Sequence, residues 1–193
     1  MQWNLPALLP SVSIGVALAV FLAREWLESR RRRQATTRKL GAIRVVLARE
    51  CELNNWSVSS LRRILLTIRA HWGSGKFSLE YRLNLPPIFY AQLESKEFSS
   101  SPIPQFYQNV CRELLLPVAE LDARLLGKLE SSITELAEMD HVATSLCAYL
   151  EYDDGHFEAF LDYALRATDS VRDALNELYK DCTGQLLTKS RVR

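Results

Sequence analysis

The residues of this chain whose spacing most clearly suggests chemistry are Glu138 and His141, which lie three positions apart in a stretch with helical hydrophobic spacing. Because positions i and i+3 share one face of a helix, this pair matches half of the motif that holds metal in di-iron carboxylate proteins. The other half requires a second such pair, and the available candidate is Asp153 with His156. Gly155 places that candidate in a turn sequence. We therefore predict no metal site.

The cysteines also give no sign of a catalytic or metal centre. Cys51, Cys111, Cys147 and Cys182 form no CxxC pair, and in a cytoplasmic domain they should be reduced thiols. Cys51 and Cys182 fall on helix seams, where a cysteine acts as a small core residue. The chain has no glycine-rich phosphate loop, no HExxH and no GxSxG motif. We expect a non-catalytic protein with no cofactor.

The charge of the chain is unevenly distributed. The 193 residues carry a formal net charge of +1, with 48% hydrophobic and 24% charged residues, which excludes a disordered tail. Residues 24–49 hold nine Lys or Arg against Glu25 and Glu28, while the rest of the chain is net acidic. Because the basic character is local and is not interleaved with aromatic residues, we expect no nucleic-acid binding.

An apolar stretch precedes the basic region and predicts a transmembrane helix at residues 5–23. At the helical rise it measures about 28 Å, close to the ~30 Å hydrocarbon thickness of a bilayer. Trp3 and Trp26 flank it as interfacial anchors would. The positive charges follow the apolar stretch, which is the reverse of a cleaved signal peptide. The positive-inside rule then predicts a single-pass protein of the cell inner membrane, with residues 1–4 outside and the C-terminus cytoplasmic.

Two sets of residues around this predicted span indicate how it would pack. A ridge of small residues recurs every four positions and favours close helix pairing, which predicts a homo-oligomer: Ala7, Ser11, Gly15, Ala19 and Ala23. A basic collar in the juxtamembrane helix, residues 24–39, would face the anionic inner leaflet: Arg24, Arg30, Arg31, Arg32 and Arg33.

Downstream, the chain reads as a long antiparallel three-helix, coiled-coil-like bundle at residues 40–184, followed by a flexible tail at 185–193. The first helix carries a heptad-like seam from Leu40 to Trp72 that contains one polar residue, Asn54. Asn54 either fixes a coiled-coil register or marks a gap or a pairing with a bundle neighbour. The second helix is predicted from about Pro104 to Tyr152 with a kink at Pro117, and the third from Phe157 to just before Gly184.

Residues 73–104 interrupt the helical pattern and form the predicted tip of the bundle. Residues 77–85 alternate apolar and polar, which is the strand period, and a short helix is predicted from Ile88 to about Ser95. A single strand must borrow an edge from a second copy or a partner, or lie extended across helices, and the last arrangement is favoured. The candidate partner-binding residues of this tip are Phe77, Leu79, Tyr81, Leu83, Phe89 and Tyr90.

The fold class predicted from sequence is therefore all-α, with one N-terminal transmembrane helix continuing into a cytoplasmic bundle. This layout is similar to that of many bacterial single-pass membrane proteins, in architecture alone. The function predicted is a membrane-anchored helical interaction or scaffold protein that presents its bundle to a cytoplasmic protein partner. The alternative is a membrane effector, pore-forming or toxin-like, that is restrained by its bundle.

Overall fold

The computed structural model describes residues 9–93, 98–152 and 155–188, with side chains from residue 15 onwards. It is mostly helical, at 74%, and contains a small three-stranded antiparallel sheet. The elements in chain order are α1 (Leu9–His71), β1 (Lys76–Glu80), β2 (Ile88–Gln92), β3 (Phe98–Pro102), α2 (Asn109–Glu113), α3 (Leu115–Leu121), α4 (Ala123–Glu151) and α5 (Phe157–Thr183). The chain divides into two compact units, Met1–Ala42 and Ile43–Arg193.

The predicted membrane span is wrong, and with it the transmembrane fold class and the single-pass localisation. No helix within the described ranges is long and apolar enough to cross a membrane. The physical reason is that the described apolar part of α1 is short and passes within the same helix into Arg24, Glu25 and the arginines of residues 30–33. Residues 5–8 of the predicted span lie outside the described residues.

In the second unit, α5 packs against both α1 and α4, and it is antiparallel to each. Between α1 and α5, Arg62 donates to Thr168 at 2.7 Å and to Asp169 at 2.8 Å. Nearer the end of α1, Arg69 pairs with Asp162 at 2.9 Å. Between α4 and α5, polar contacts join Lys128 to Asp181 at 3.1 Å and Ser132 to the carbonyl of Ala174 at 3.3 Å. The core that these helices enclose includes Leu47, Leu61, Leu65, Ile68, Leu129, Leu136, Met139, Leu146, Val171, Leu175 and Leu178.

The predicted antiparallel order of consecutive long helices holds for α4 and α5, but it is wrong for α1 and α4, which run parallel. Both are antiparallel to α5, and the chain returns between them through residues 103–122 instead of through a long helix. This return begins with residues 103–108, which have no regular secondary structure and which we call the connecting segment. It continues through α2 and α3 and ends where Asp122 accepts a hydrogen bond from Arg44 at 3.0 Å.

The predicted second helix, from Pro104 to Tyr152, is therefore broken into three shorter helices and a non-helical start. The sharpest break is at Asp122, whose extended backbone (φ −156°, ψ 94°) ends α3. Its side chain accepts from the backbone amides of Arg124 and Leu125, so it is the N-cap of α4. Pro117 lies in the first turn of α3, where its missing amide donor removes no helical hydrogen bond.

The third helix was predicted correctly. It runs from Phe157 to Thr183 and ends at Gly184, whose left-handed φ of 75° allows its amide to donate to the carbonyl of Lys180 at 2.8 Å. A residue with a side chain would be strained in that conformation, so the glycine fixes the end of the helix.

Asn54 pairs with a bundle neighbour, which was one of the readings left open by the sequence. Its side chain is fully buried and bonds both backbone groups of Tyr107: Nδ2 donates to the carbonyl and Oδ1 accepts from the amide, each at 2.8 Å. One turn along α1, Ser57 donates to the carbonyl of Gln105 at 2.7 Å. The buried seam of α1 thus supplies polar groups that satisfy the backbone of the connecting segment.

The tip is a sheet with strand order β1-β2-β3, in which each neighbouring pair is antiparallel. The alternation of residues 77–85 correctly predicted β1, but the strand ends at Glu80 because the chain then turns through Asn84, which has a φ of 59°. The helix predicted from Ile88 is wrong. Residues Ile88–Gln92 instead form the central strand, which gives β1 the edge that a single strand lacks.

Replacing Asn54 with Ala should strongly destabilise the bundle. The substitution leaves the amide and the carbonyl of Tyr107 without their partner, so we expect a loss of about 2 kcal/mol in the free energy of unfolding, measured by urea denaturation. Asn55→Ala is the matched control, because the side chain of Asn55 makes no hydrogen bond among the described residues. Equal losses from the two substitutions would show that the Asn54 pairing does not hold the connecting segment.

Candidate functional site

The residues predicted to pack a span and to meet lipid all lie on the first unit, and the structure brings them into no common site. Gly15, Ala19 and Ala23 are exposed on α1. Ala7 lies outside the described residues, and Ser11 falls within α1 but its side chain is not described. The five collar arginines are also exposed. Their contacts are local to the helix: Arg32 pairs with Glu28 at 2.6 Å, and Arg30 lies 5.5 Å from the ring centroid of Trp26.

The six predicted tip residues lie in three places: Phe77, Leu79 and Phe89 on the inner face of the sheet, Tyr90 on its outer face, and Tyr81 and Leu83 in the turn after β1. Phe89 is 2% exposed, and Phe77 and Leu79 are half-buried on the same inner face. Phe77 stacks with Phe89 at 5.9 Å and with Trp72 at 6.3 Å between ring centroids. Trp72 in turn contacts Phe157 at 4.3 Å. These residues therefore attach the sheet to the helix ends and are not available to a partner.

One exposed part of the tip is the turn between β1 and β2, residues 81–87, which we call the tip loop. Leu83 is 91% exposed, and Tyr81 and Leu85 are also mostly exposed. Leu85 was not among the predicted site residues. The sequence signal that could have identified it is the apolar alternation of residues 77–85, which includes Leu85. This alternation continues past Glu80, the last residue of β1, so the apolar side chains after it lie outside the strand.

Polar contacts hold the tip loop in a defined conformation. At its start, Arg82 pairs with Glu80 at 2.8 Å, and Glu80 also accepts a hydrogen bond from the hydroxyl of Tyr90. Inside it, the amide of Leu85 donates to the carbonyl of Arg82 at 3.2 Å. A hydrogen bond with Glu151 at the end of α4 raises the pKa of Tyr81 to about 12 and keeps the phenol protonated. The apolar side chains are thus presented from an ordered turn, which lowers the entropy cost of binding.

A second exposed aromatic residue, Phe98, lies on the outer face of the sheet and was also missed by the sequence analysis. It is 66% exposed and packs on Tyr90 with ring centroids 5.4 Å apart. Phe98 begins β3, a strand that was not predicted, because its serine-rich sequence lacks the apolar alternation of β1.

A cleft of about 680 Å³ in the second unit lies between the connecting segment and α4. Three of its polar side chains form a hydrogen-bond network, in which Gln108 donates to Asp140 at 2.7 Å and accepts from Arg112 at 2.8 Å. Burial raises the pKa of Asp140, and Arg112 partly opposes the shift. Burial likewise raises the pKa of Glu50, whose Oε2 is buried without a hydrogen-bond partner among the described residues. The cleft therefore combines two carboxyls of raised pKa with a network that fixes the connecting segment.

The thiols and the Glu138/His141 pair do not form a reactive centre. Burial raises the pKa of Cys51, and it raises the pKa of Cys111 and of Cys182 to about 11, so these thiols stay protonated at neutral pH and are poor nucleophiles. Glu138 accepts a hydrogen bond from Tyr163, and no group of three metal-binding side chains occurs among the described residues.

Replacing Glu50 with Gln should stabilise the protein at neutral pH. Burial raises the pKa of Glu50 in the folded state, because it favours the uncharged carboxyl. The carboxyl therefore costs no stability below its unfolded pKa, and the free energy of unfolding falls as the pH rises through the folded pKa and the buried group ionises. We expect a gain of up to about 1 kcal/mol in the free energy of unfolding at pH 7 and little gain near pH 4, measured by urea denaturation.

The matched control is Glu52→Gln on the same helix. Glu52 accepts from Arg49 at 3.2 Å and from Tyr179 at 3.3 Å, so its replacement should lower stability at pH 7 or leave it unchanged. Destabilisation by Glu50→Gln at pH 7 would contradict a desolvated, unpartnered carboxylate.

Comparison with known proteins found no relative of this chain. No family model, no curated protein and no solved structure matches the chain. A function can therefore be inferred only from the contacts, exposure and charges of the chain's own residues.

Proposed function

We propose that this chain is a non-catalytic protein-interaction module that binds a protein partner through its tip loop. The observation that carries the proposal is the cluster of large apolar side chains in an ordered turn, with Leu83 91% exposed. An isolated exposed leucine is ordinary on a protein surface, but here Tyr81 and Leu85 lie within two residues of it and are exposed as well. Such a cluster is typical of the central anchor of an interface.

The tip loop also has the construction expected of a recognition element. The polar side chains of Glu80, Arg82 and Tyr90 at its base pair with one another, so a partner can cover the apolar residues without burying an unpaired charge. The aromatic contacts from Phe77 to Trp72 and Phe157 attach the sheet that carries the loop to the helices. This arrangement supports a partner surface with an apolar pocket that accepts Leu83.

The proposal keeps the interaction part of the sequence prediction and drops its membrane anchor. Both the membrane-anchored scaffold and the pore-forming alternative depended on a transmembrane helix, and no described helix is long and apolar enough for that role. Binding through the tip loop depends on neither.

The test is a comparison of partner contact at two exposed leucines. A photo-crosslinking amino acid placed at Leu83 should trap a discrete partner in the source cell, whereas the same group at Leu116 on α3, which is 71% exposed, should not. With the trapped protein purified, Leu83→Ser should weaken binding about tenfold or more, because burial of a leucine side chain contributes roughly 1.5–3 kcal/mol.

The matched substitution Leu116→Ser should leave the affinity unchanged, and thermal melting should show both variants folded. Equal crosslinking at the two positions, or unchanged binding by Leu83→Ser, would exclude the tip loop as the docking site.

A further inference from the structure

The outer edge of β3 is a row of backbone groups that no described residue pairs. The sheet has β3 at its margin, bonded to β2 on one side. The amide of Ile103 donates to the carbonyl of Pro87 at 2.8 Å, which fixes the alternation of the ladder. Ser101 and Ser99 therefore direct their amides and carbonyls toward β2, and Phe98 and Ser100 direct theirs outward.

This edge lacks most of the features that natural proteins use to block pairing. The strand FSSSP carries no charge, and the sequence from Phe98 to Cys111 contains no charged residue. Four of its five residues are exposed. Its one proline, Pro102, is at the end of the strand and occupies an outward position, so the central outward amide, that of Ser100, remains available.

We propose that two copies of this chain pair through β3 in an antiparallel manner, about a two-fold axis at Ser100. In this register the two Ser100 residues exchange both backbone hydrogen bonds. Phe98 donates its amide to the carbonyl of Pro102 of the second copy. Pro102 has no amide hydrogen to donate in return, so one hydrogen bond is missing at each end of the pairing. The two three-stranded sheets become one continuous sheet.

The side chains of β3 suit a two-fold axis. Residues on such an axis face their own copies, so a charged residue at position 100 would meet a like charge, whereas two serine hydroxyls can bond each other. On the same outer face, Phe98 of one copy lies against the Pro102 ring of the other. This contact would cover the aromatic ring, which is 66% exposed in the single chain.

The second copy explains more of these features than a foreign peptide does. A foreign strand would need only the free backbone groups of β3. Pairing with a second copy also needs an uncharged residue at the axis and brings Phe98 opposite Pro102, and β3 has both features. The interface is formed by β3, whereas the tip loop joins β1 and β2, so the two proposals use different residues of the tip. The inference therefore stands independently of the proposed function.

Sedimentation velocity of the purified full chain over a range of concentrations tests this pairing. The wild-type chain should show a reversible monomer-dimer equilibrium, and Ser100→Pro should raise the dimer Kd about tenfold or more by removing the central donors. Proline is tolerated at an outward edge position, so thermal melting should show a folded chain. A monomeric wild-type chain, or a dimer that Ser100→Pro leaves intact, overturns the proposal.

A charge pair provides the second test. Ser100→Lys and Ser100→Glu should each be monomeric alone, because like charges face each other across the axis, and their mixture should recover the dimer. Ser78→Lys is the matched control, since Ser78 is exposed on the opposite edge strand, and it should dimerise like the wild type. Disruption by Ser78→Lys without disruption by Ser100→Lys would place the interface elsewhere and overturn the pairing through β3. Leu83→Ser should not change the dimer.

Discussion

The pairing of Asn54 with the backbone of Tyr107 is the interaction on which the arrangement of the second unit depends. The connecting segment has no helix or sheet to pair its backbone groups, and α1 supplies hydrogen-bond partners from its own buried seam through Asn54 and Ser57. With the connecting segment held against α1, the chain runs beside that helix from Ser57 back to Arg44, where it reaches Asp122. As a result α4 starts beside Arg44 and runs parallel to α1.

The polar groups in the second unit serve mainly to join helices. Arg62 bridges from α1 to Thr168 and Asp169 on α5, and Lys128 bridges from α4 to Asp181 on the same helix. The cleft behind the connecting segment is crossed by the contacts of Gln108 with Asp140 and Arg112. The buried thiols are protonated, and Glu138 is held by Tyr163. The contacts of Gln108 and Glu138 are with other side chains of the fold.

The tip carries both surfaces through which we propose binding. Its inner face is filled by aromatic contacts with the helix ends, so the sheet has a fixed attachment. What remains is a turn with exposed apolar side chains at one end of the sheet and an uncharged strand edge at its side. The two have different chemistry: the turn offers apolar surface to a pocket, and the edge offers backbone hydrogen bonds to another strand.

The sequence alone determined the elements whose signals are local. Helical periodicity and the αL glycine at position 184 predicted α5 at both ends, and period-two alternation predicted β1. The tertiary structure decided what depends on distant residues. Ile88–Gln92 is a strand because β1 and β3 flank it, and Asp122 ends a helix because its side chain caps α4 and meets Arg44. The partner of Asn54 lies 53 residues away. The sequence therefore left several roles open for Asn54 and could not show which one is correct. Apolar composition also misled at the N-terminus, where the described part of the helix passes from its apolar stretch directly into charged residues. Local patterns fix which residues form a helix or a strand, whereas direction, pairing and exposure follow from contacts between segments far apart in the chain.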